Sequence, residues 1–167
     1  DILIIDDDRS MRQSTRQWLE LAGYTVEDFN RAEKVLDLIN RDMNAVIISD
    51  VKMPKMNGIE FQKRMSLIDP DIPVILITAH GDISMAVEAI RNGAYDFLEK
   101  PFEPERILDS VQRAKEKRDL IMENRDLRSQ LKASQGLDAR LIGSNPRMQA
   151  LKQQIMGLAP TEATVMI

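Results

Sequence analysis

The sequence predicts a doubly wound α/β domain, in which a five-stranded parallel sheet carries helices on both of its faces. Short apolar runs alternate five times with longer amphipathic stretches. The apolar runs are continuous, which is typical of strands buried on both sides in a parallel sheet. Glycine and proline residues separate many of the runs, as expected where one element ends and the next begins.

In the first half of the chain, strand-like runs and helix-like stretches succeed one another at residues 2–5, 11–22, 24–26, 32–39 and 45–48. The first, third and fifth segments are short enough for strands, and the other two are amphipathic. Gly23 lies after the first helix-like stretch, where glycine commonly ends a helix.

The alternation continues through the second half, with segments at 59–68, 74–77, 85–90, 95–98 and from 107 onward. Pro70 and Pro73 precede the fourth predicted strand, and Gly93 follows the fourth predicted helix. The predicted order is therefore five strands, each followed by a helix.

Composition supports a folded domain and excludes several classes of protein. Apolar residues make up 43% of the chain, which is enough for a core, and 167 residues allow one domain and part of a second. The net charge of −4 argues against direct nucleic-acid binding by this segment. Without cysteine, neither a disulfide nor a thiolate metal site is possible.

The chain also lacks the patterns of membrane and secreted proteins. No apolar run approaches the roughly 18 residues of a membrane span, and the amino end has no secretory pattern. We expect a cytoplasmic protein that does not enter a membrane. Because the chain begins without methionine and ends in an apolar run at 164–167, we expect it to be part of a longer protein.

Polar residues follow four of the five predicted strands. In open parallel sheets, ligands bind beyond the carboxyl ends of the strands. These positions hold Asp6, Asp7 and Asp8 after strand one, Asp50 after strand three, Thr78 after strand four, and Lys100 after strand five.

Clustered carboxylates repel one another and raise each other's pKa, so they need a cation. Mg²⁺ suits this need, because it binds one or two carboxylates, waters and often a phosphate oxygen. Asp50 stands alone at the end of its strand and is the candidate nucleophile toward phosphorus, whereas Asp6 and Asp7 are the candidate metal ligands. Thr78 can donate to a phosphoryl oxygen, and Lys100 can balance its charge.

Each residue also has a plainer interpretation. Asp8 fits a helix cap as well as it fits the site. Taken singly, Asp50 could be a turn residue, Thr78 a β-branched strand residue and Lys100 a surface charge. Their joint placement at the strand ends favours the functional interpretation.

Five segments resemble the receiver domains of response regulators, namely IIDDD at 4–8, SDVKMP at 49–54, MNG at 56–58, TA at 78–79 and KPF at 100–102. The resemblance covers roughly residues 1–118. It implies a flavodoxin-like sheet with strand order 2-1-3-4-5 and phosphoryl transfer from a sensor histidine kinase to Asp50. It also implies a cis peptide before Pro101.

The same resemblance implies a ligand set and a switch. Mg²⁺ would be held by Asp7 and Asp50, with Asp6 acting through water and the Lys52 carbonyl as a further ligand. Switching in the family implies that Thr78 moves toward the phosphoryl group and Phe97 turns inward behind it; a plain core role for Phe97 stays open. His80, the only histidine, is expected to have no catalytic role.

The region from Pro104 to about 134 contains no further proline and no glycine, which predicts one long helix that ends at Gly136. Leu120, Asn124, Leu127 and Leu131 are spaced four, three and four apart, as in a heptad seam. We expect a coiled-coil homodimer with Asn124 paired across it. The alternative is that this stripe packs on another domain.

After the helix, LIGSNPRM at 141–148 and ATVMI at 163–167 resemble the opening of the ATPase domain of NtrC-type activators of sigma-54 RNA polymerase. The predicted domains are a receiver at 1–114, a helical coiled-coil linker at 115–135 and an N-terminal fragment of an AAA+ ATPase domain at 136–167. No phosphate-binding loop motif is present, so this segment is predicted to be regulatory and to lack a nucleotide site.

Segments AHGDI at 79–83, NGAYDF at 92–97 and residues 118–127 are most similar to the dicarboxylate-transport regulators. The resemblance implies sigma-54 RNA polymerase and DNA as partners of the full-length protein. Another NtrC-type activator with a different regulon stays open as an alternative to the dicarboxylate-transport regulators. Two alternatives to the regulatory interpretation stay open as well. One is a metal-dependent phosphotransferase acting on small substrates, and the other is a dimerisation scaffold with a vestigial site.

Overall fold

The computed structural model describes residues 1–79 and 83–140, with only the backbone described for 83–84 and 133–140. Five strands form one sheet in the order β2-β1-β3-β4-β5, and every neighbouring pair is parallel. The predicted five-stranded, doubly wound α/β fold with strand order 2-1-3-4-5 is confirmed.

Strands and helices alternate along the chain. The strands are β1 (Ile2–Ile5), β2 (Val26–Phe29), β3 (Val46–Asp50), β4 (Val74–Thr78) and β5 (Asp96–Glu99). The helices are α1 (Arg9–Leu21), α2 (Ala32–Leu36), α3 (Gly58–Ile68), α4 (Ile83–Arg91) and α5 (Pro104–Arg140). Gly23 and Gly93 both have positive φ, at 90° and 94°, as expected for residues that follow helices.

Two apolar layers cover the two faces of the sheet. One contains Phe61 and Met65 of α3 with alternate residues of the central strands, and the other contains Leu19 of α1 with Ile107 and Val111 of α5. The inner strands β1, β3 and β4 are buried along their whole length. This burial explains their continuous apolar sequences. The first turns of α5 thus pack on the sheet.

Strand β2 lies at Val26–Phe29, so the prediction of a strand at 24–26 was wrong by several residues. Hydropathy misplaced the strand because it lies at the edge of the sheet, and Glu27 is exposed. Asp28 forms ion pairs with Arg12 and Arg16 of α1. The polar half of β2 is therefore stabilised by charge pairing with a neighbouring helix.

Helix α5 continues through Gly136 to Arg140, so the prediction that Gly136 ends the helix was wrong. A glycine inside a helix costs about 1 kcal/mol relative to alanine, which the helix-forming residues around it can offset. The chain divides into two compact units, Asp1–Met122 and a unit beginning at Glu123, and the division falls within α5. The domain limits predicted from sequence remain predictions.

None of the helices that the structure describes is long and apolar enough to cross a bilayer. The segment 141–167, predicted to open an ATPase domain, lies outside the described residues, and so does His80.

Candidate functional site

Two buried carboxylates meet at the carboxyl edge of the sheet. Asp50 is the last residue of β3 and is 6% exposed, and Asp6 directly follows β1 and is 4% exposed. Strands β1 and β3 pair with Ile5 opposite Ser49, so the residues that follow are neighbours. The parallel register brings together residues that lie far apart in the sequence.

A single ammonium group joins these carboxylates. Lys100 Nζ lies 2.7 Å from Asp50 Oδ1 and 2.9 Å from Asp6 Oδ2. The backbone amide of Lys100 donates to the Thr78 carbonyl at 2.7 Å, which continues the β4–β5 pairing by one residue. The peptide between Lys100 and Pro101 is cis, as the resemblance implied.

Burial and charge pairing act against each other in this cluster. Burial raises the pKa of Asp6 and outweighs the hydrogen bond from Lys100, which acts in the opposite direction. Burial alone would lower the pKa of Lys100, but hydrogen bonds to Asp50 and Asp6 outweigh burial and raise it. Lys100 is therefore held as a cation at neutral pH.

The other two aspartates after β1 have different roles. Asp8 caps α1, because its Oδ1 accepts the backbone amides of Ser10 at 2.8 Å and Met11 at 3.3 Å. The helix-cap interpretation of Asp8 is confirmed. Asp7 is exposed and lines a cavity of about 520 Å³ next to the loop that follows β3. The other lining residues are Val51, Lys52, Met53, Pro54, Asn57, Ile59 and Met85.

The loop after β3 holds the Asp50 side chain from its other side. The Lys52 amide donates to Asp50 Oδ2 at 2.7 Å, and the Gly58 amide donates to the Val51 carbonyl at 3.0 Å. A Cβ atom on Gly58 would lie 2.3 Å from the Asp50 carbonyl oxygen, closer than any side chain permits. Gly58 therefore allows α3 to begin directly against the backbone of Asp50.

The oxygen donors at this edge suit a hard cation. No three His, Asp or Glu side chains in the described part of the chain form a group able to hold a metal ion. Mg²⁺ needs only one or two carboxylates, with waters, carbonyls or phosphate oxygens as its other ligands. Asp6, Asp7, Asp50 and the Lys52 carbonyl supply that kind of donor set.

The predicted switch residues occupy neighbouring strands. Thr78 is the last residue of β4 and is fully buried. Phe97 of β5 pairs with Leu76 in the sheet and is partly buried. It lines a second cavity of about 370 Å³ with Ala86, Val87, Ile90, Arg91 and Asp96.

The predicted seam lies on the surface of α5. Leu120, Leu127 and Leu131 are 66%, 52% and 61% exposed. Asn124 lies between them and is also exposed.

Sequence reasoning missed three contacts that support the site. Arg12 Nη1 donates to the Asp6 carbonyl at 2.7 Å, and the Asn57 side chain caps α3 by accepting the Glu60 amide at 2.8 Å. An Asn before the Gly58-Ile59 helix start is a local capping signal and could have been found. The reach of Arg12 and the close approach of Gly58 have no comparable local signal.

A comparison with protein families matches residues 2–112 to the profile described as response regulator receiver domain. Two curated relatives, both described as C4-dicarboxylate transport transcriptional regulatory protein DctD, come from Rhizobium meliloti (strain 1021) and Pseudomonas aeruginosa (strain PAO1). Each is 46% identical, in alignments that cover 99% of this chain and 36% of the relative. This chain therefore spans about a third of the length of these relatives.

Two solved structures of response regulators are also similar to this chain. The response regulator StyR matches 98% of this chain and 77% of its own, with a TM-score of 0.71 and 34% identity. The beryllofluoride-activated NtrC4 receiver domain dimer matches 70% of this chain and 97% of its own, with a TM-score of 0.66 and 38% identity.

Proposed function

This chain belongs to the response regulator receiver domain family, and from that premise we propose that it accepts a phosphoryl group on Asp50 from a sensor histidine kinase. The observation that carries the proposal is the position of Lys100, whose ammonium lies within hydrogen-bond distance of both Asp50 and Asp6. Phosphoryl transfer depends mainly on positioning and on cations near the transferred group. This edge of the sheet offers both.

In the proposed step, an oxygen of the Asp50 carboxylate bonds to phosphorus while the phosphorus–nitrogen bond of the kinase phosphohistidine breaks. The departing imidazole nitrogen keeps the electron pair of that bond and takes up a proton. The Lys52 amide and the Lys100 ammonium hold the two Asp50 oxygens, so the carboxylate is oriented before the donor arrives. Lys100 then balances the charge of the phosphoryl group.

The proposal includes Mg²⁺ at the same edge, held by Asp7 and Asp50 directly, by Asp6 through water and by the Lys52 carbonyl. When bound, the ion supplies positive charge to the phosphoryl oxygens. Asp7 is exposed and lines the 520 Å³ cavity, which leaves its carboxylate accessible from solvent.

The test is Asp50→Asn, incubated with acetyl phosphate and Mg²⁺ and followed by intact mass. We expect the wild type to gain one phosphoryl group per chain and the variant to gain none. Asp42→Asn, which changes an exposed aspartate, serves as the matched control. Undiminished labelling of Asp50→Asn would defeat the assignment, and repeated turnover of external phosphoesters would favour a phosphotransferase.

We propose that Thr78 and Phe97 report the phosphoryl group to the rest of the domain. Thr78 lies at the end of the strand beside β3, and Phe97 lies one strand further on, against the 370 Å³ cavity. That space would allow the ring to change its packing. The measurement is the chemical shift of the Phe97 ring with and without beryllofluoride, in wild type and in Thr78→Val.

We propose that α5 forms a homodimer through the seam containing Leu120, Asn124, Leu127 and Leu131. The support is the heptad spacing together with the exposure of Leu120 and Leu127. Leu127→Asp should weaken the dimer in sedimentation equilibrium. Leu67→Asp changes a leucine that is 84% exposed on α3 and should leave association unchanged. Equal effects of the two substitutions would argue against the seam.

We propose further that the full-length protein controls transcription through a sigma-54-activating ATPase and DNA binding. The support is the resemblance of 141–167 to such an ATPase and the two relatives described as regulators of C4-dicarboxylate transport. Dicarboxylate transport genes are accordingly the proposed targets.

A further inference from the structure

Arg118 of α5 is a fully buried charged residue that the proposed phosphoryl transfer does not use. Its Nη2 lies 2.9 Å from Asp69 Oδ2, and both side chains have no exposed surface. Asp69 directly follows α3 and precedes β4. A helix that leads out of the domain is thus joined to the receiver by an ion pair shielded from water.

The guanidinium also binds backbone oxygens of the loop before β3. Nε and Nη2 donate to the Met43 carbonyl at 3.2 and 2.6 Å, and Nη2 reaches the Arg41 carbonyl at 3.4 Å. On the next residue, Asp119 Oδ1 accepts the Asn44 amide group at 2.7 Å. One turn of α5 is therefore held to residues 41–44 by several directional bonds.

The Arg118 contacts lie beyond the amino ends of the strands, whereas the proposed phosphoacceptor Asp50 lies at their carboxyl ends. Met43 and Asp69 precede β3 and β4, whereas Asp50 and Thr78 end the same strands. A five-residue strand separates its two ends by about 13 Å. The Arg118 contacts and the phosphorylation chemistry are therefore spatially separate.

The buried pair of Arg118 and Asp69 is better explained by the orientation that it gives to α5 than by a gain in the stability of the fold. A buried ion pair is often no more stabilising than apolar side chains of similar volume, because both charges lose their hydration. Arg118 Nη1 is buried and makes no hydrogen bond with any residue that the structure describes, which adds to that cost. The guanidinium donates hydrogen bonds in fixed directions, so it holds the helix in a single orientation, which an apolar side chain does not do.

We propose that Arg118 is a positioning residue that fixes α5 to the amino edge of the receiver, so that the last turn before Leu120 moves as part of the domain. The proposal rests on the regulatory role proposed for α5. It separates two roles within one domain. Asp50 receives the phosphoryl group beside Lys100, and Arg118 with Asp69 anchors the helix that leads away.

The test uses the whole chain and a double variant, because Arg118→Met alone would remove the cation that forms an ion pair with the buried Asp69. Arg118→Met with Asp69→Leu replaces the pair by apolar side chains and should keep the melting temperature and the acetyl phosphate labelling of Asp50. Amide hydrogen exchange at residues 115–122 should nevertheless rise by about tenfold or more, as local opening becomes easier. Arg113→Met removes an exposed arginine of the same helix and should leave exchange unchanged.

Arg118→Lys provides a second variant, in which the charge is kept but the fork that reaches Met43 and Arg41 is lost. It should fold and show faster exchange in the same segment. Unchanged exchange in both folded variants would overturn the positioning role, and so would failure of both to fold. If acetyl phosphate does not label Asp50 in the wild type, the proposed function is contradicted instead. If the wild type is a monomer, the proposed dimer through the α5 seam is contradicted.

Discussion

Lys100 Nζ lies 2.7 Å from Asp50 Oδ1, and the same ammonium is 2.9 Å from Asp6 Oδ2. One cation from the loop after β5 thus compensates two carboxylates that are almost completely buried. Buried charges of one sign are tolerated only when they are paired. The pairing explains how the domain can hold both aspartates at the carboxyl ends of its strands.

Replacing Lys100 by Met should lower the free energy of unfolding at neutral pH by about 1 to 3 kcal/mol, less than for a fully buried pair because Lys100 is partly exposed. The deficit should shrink as the pH falls. Burial already raises the pKa of Asp6, and loss of the ammonium raises it further, so Asp6 becomes neutral at a higher pH in the variant.

The measurement is urea unfolding without Mg²⁺ at neutral and mildly acidic pH. Lys63→Met, which changes an exposed lysine on α3, is the control and should alter stability little at either pH. A deficit that is the same at both pH values would show that lost packing, rather than uncompensated charge, is the cause.

The residues at the strand ends could be predicted from sequence, because each strand is marked by an apolar run and the site residue follows that run directly. Continuous apolar runs identified β1, β3 and β4, and the carboxyl ends of parallel strands share one edge. Asp6, Asp50 and Lys100 were therefore placed together without knowledge of any side-chain contact.

Contacts across long separations could not be predicted in the same way. Arg118 binds the Met43 carbonyl 75 residues away. Its spacing from the buried Ala114 places it on the inward face of α5, but nothing in the local sequence identifies the residues that it contacts there. The position of β2 was missed for a related reason, since Asp28 is stabilised by arginines of a preceding helix. Hydropathy alone does not predict that a charged residue is buried or paired.

Gly58→Ala should disturb Asp50, the proposed phosphoacceptor, directly. The added Cβ would lie 2.3 Å from the Asp50 carbonyl oxygen and 3.1 Å from Ser49 Oγ, so the start of α3 or the end of β3 has to move. We expect a stability loss of about 1 to 3 kcal/mol, as for other overpacked sites, and slower labelling by acetyl phosphate.

Gly23→Ala is the comparison for Gly58→Ala, because a Cβ at Gly23 meets nothing within 4 Å and only the positive φ opposes the change. It should cost about 1 to 2 kcal/mol and leave the labelling rate unchanged. If both variants label at the wild-type rate, the close approach of Gly58 has no bearing on Asp50.

Lys55 has a φ of 70°, which is unfavourable for a residue with a Cβ. Lys55→Gly should therefore raise the free energy of unfolding by about 0.5 to 1 kcal/mol, the relief of strain being partly offset by the greater freedom of glycine in the unfolded chain. Lys63→Gly, inside α3, should change stability in the opposite direction by a similar amount. Thermal unfolding of both variants checks the two signs together.

Asp28 should make the stability of the domain sensitive to acid. Its Oδ2 accepts Arg12 Nε at 2.9 Å and its Oδ1 accepts Arg16 Nη1 at 2.8 Å. The hydrogen bond from Arg12 is the main cause that lowers the pKa of Asp28, and it outweighs the opposing effect of burial. A carboxyl group with a pKa lowered by folding stabilises the native state above its unfolded pKa of about 3.9, and this contribution is lost as the pH falls through the folded value.

Asp28→Asn should therefore be less stable than the wild type at neutral pH, and the difference should diminish below about pH 4, where the wild-type carboxyl begins to take up a proton in the unfolded state. Asp42→Asn, at an exposed position, should show no such dependence. Urea unfolding across this range measures both. A difference between Asp28→Asn and wild type that stays constant into strong acid would mean that the geometry of the side chain, and not its charge, joins β2 to α1.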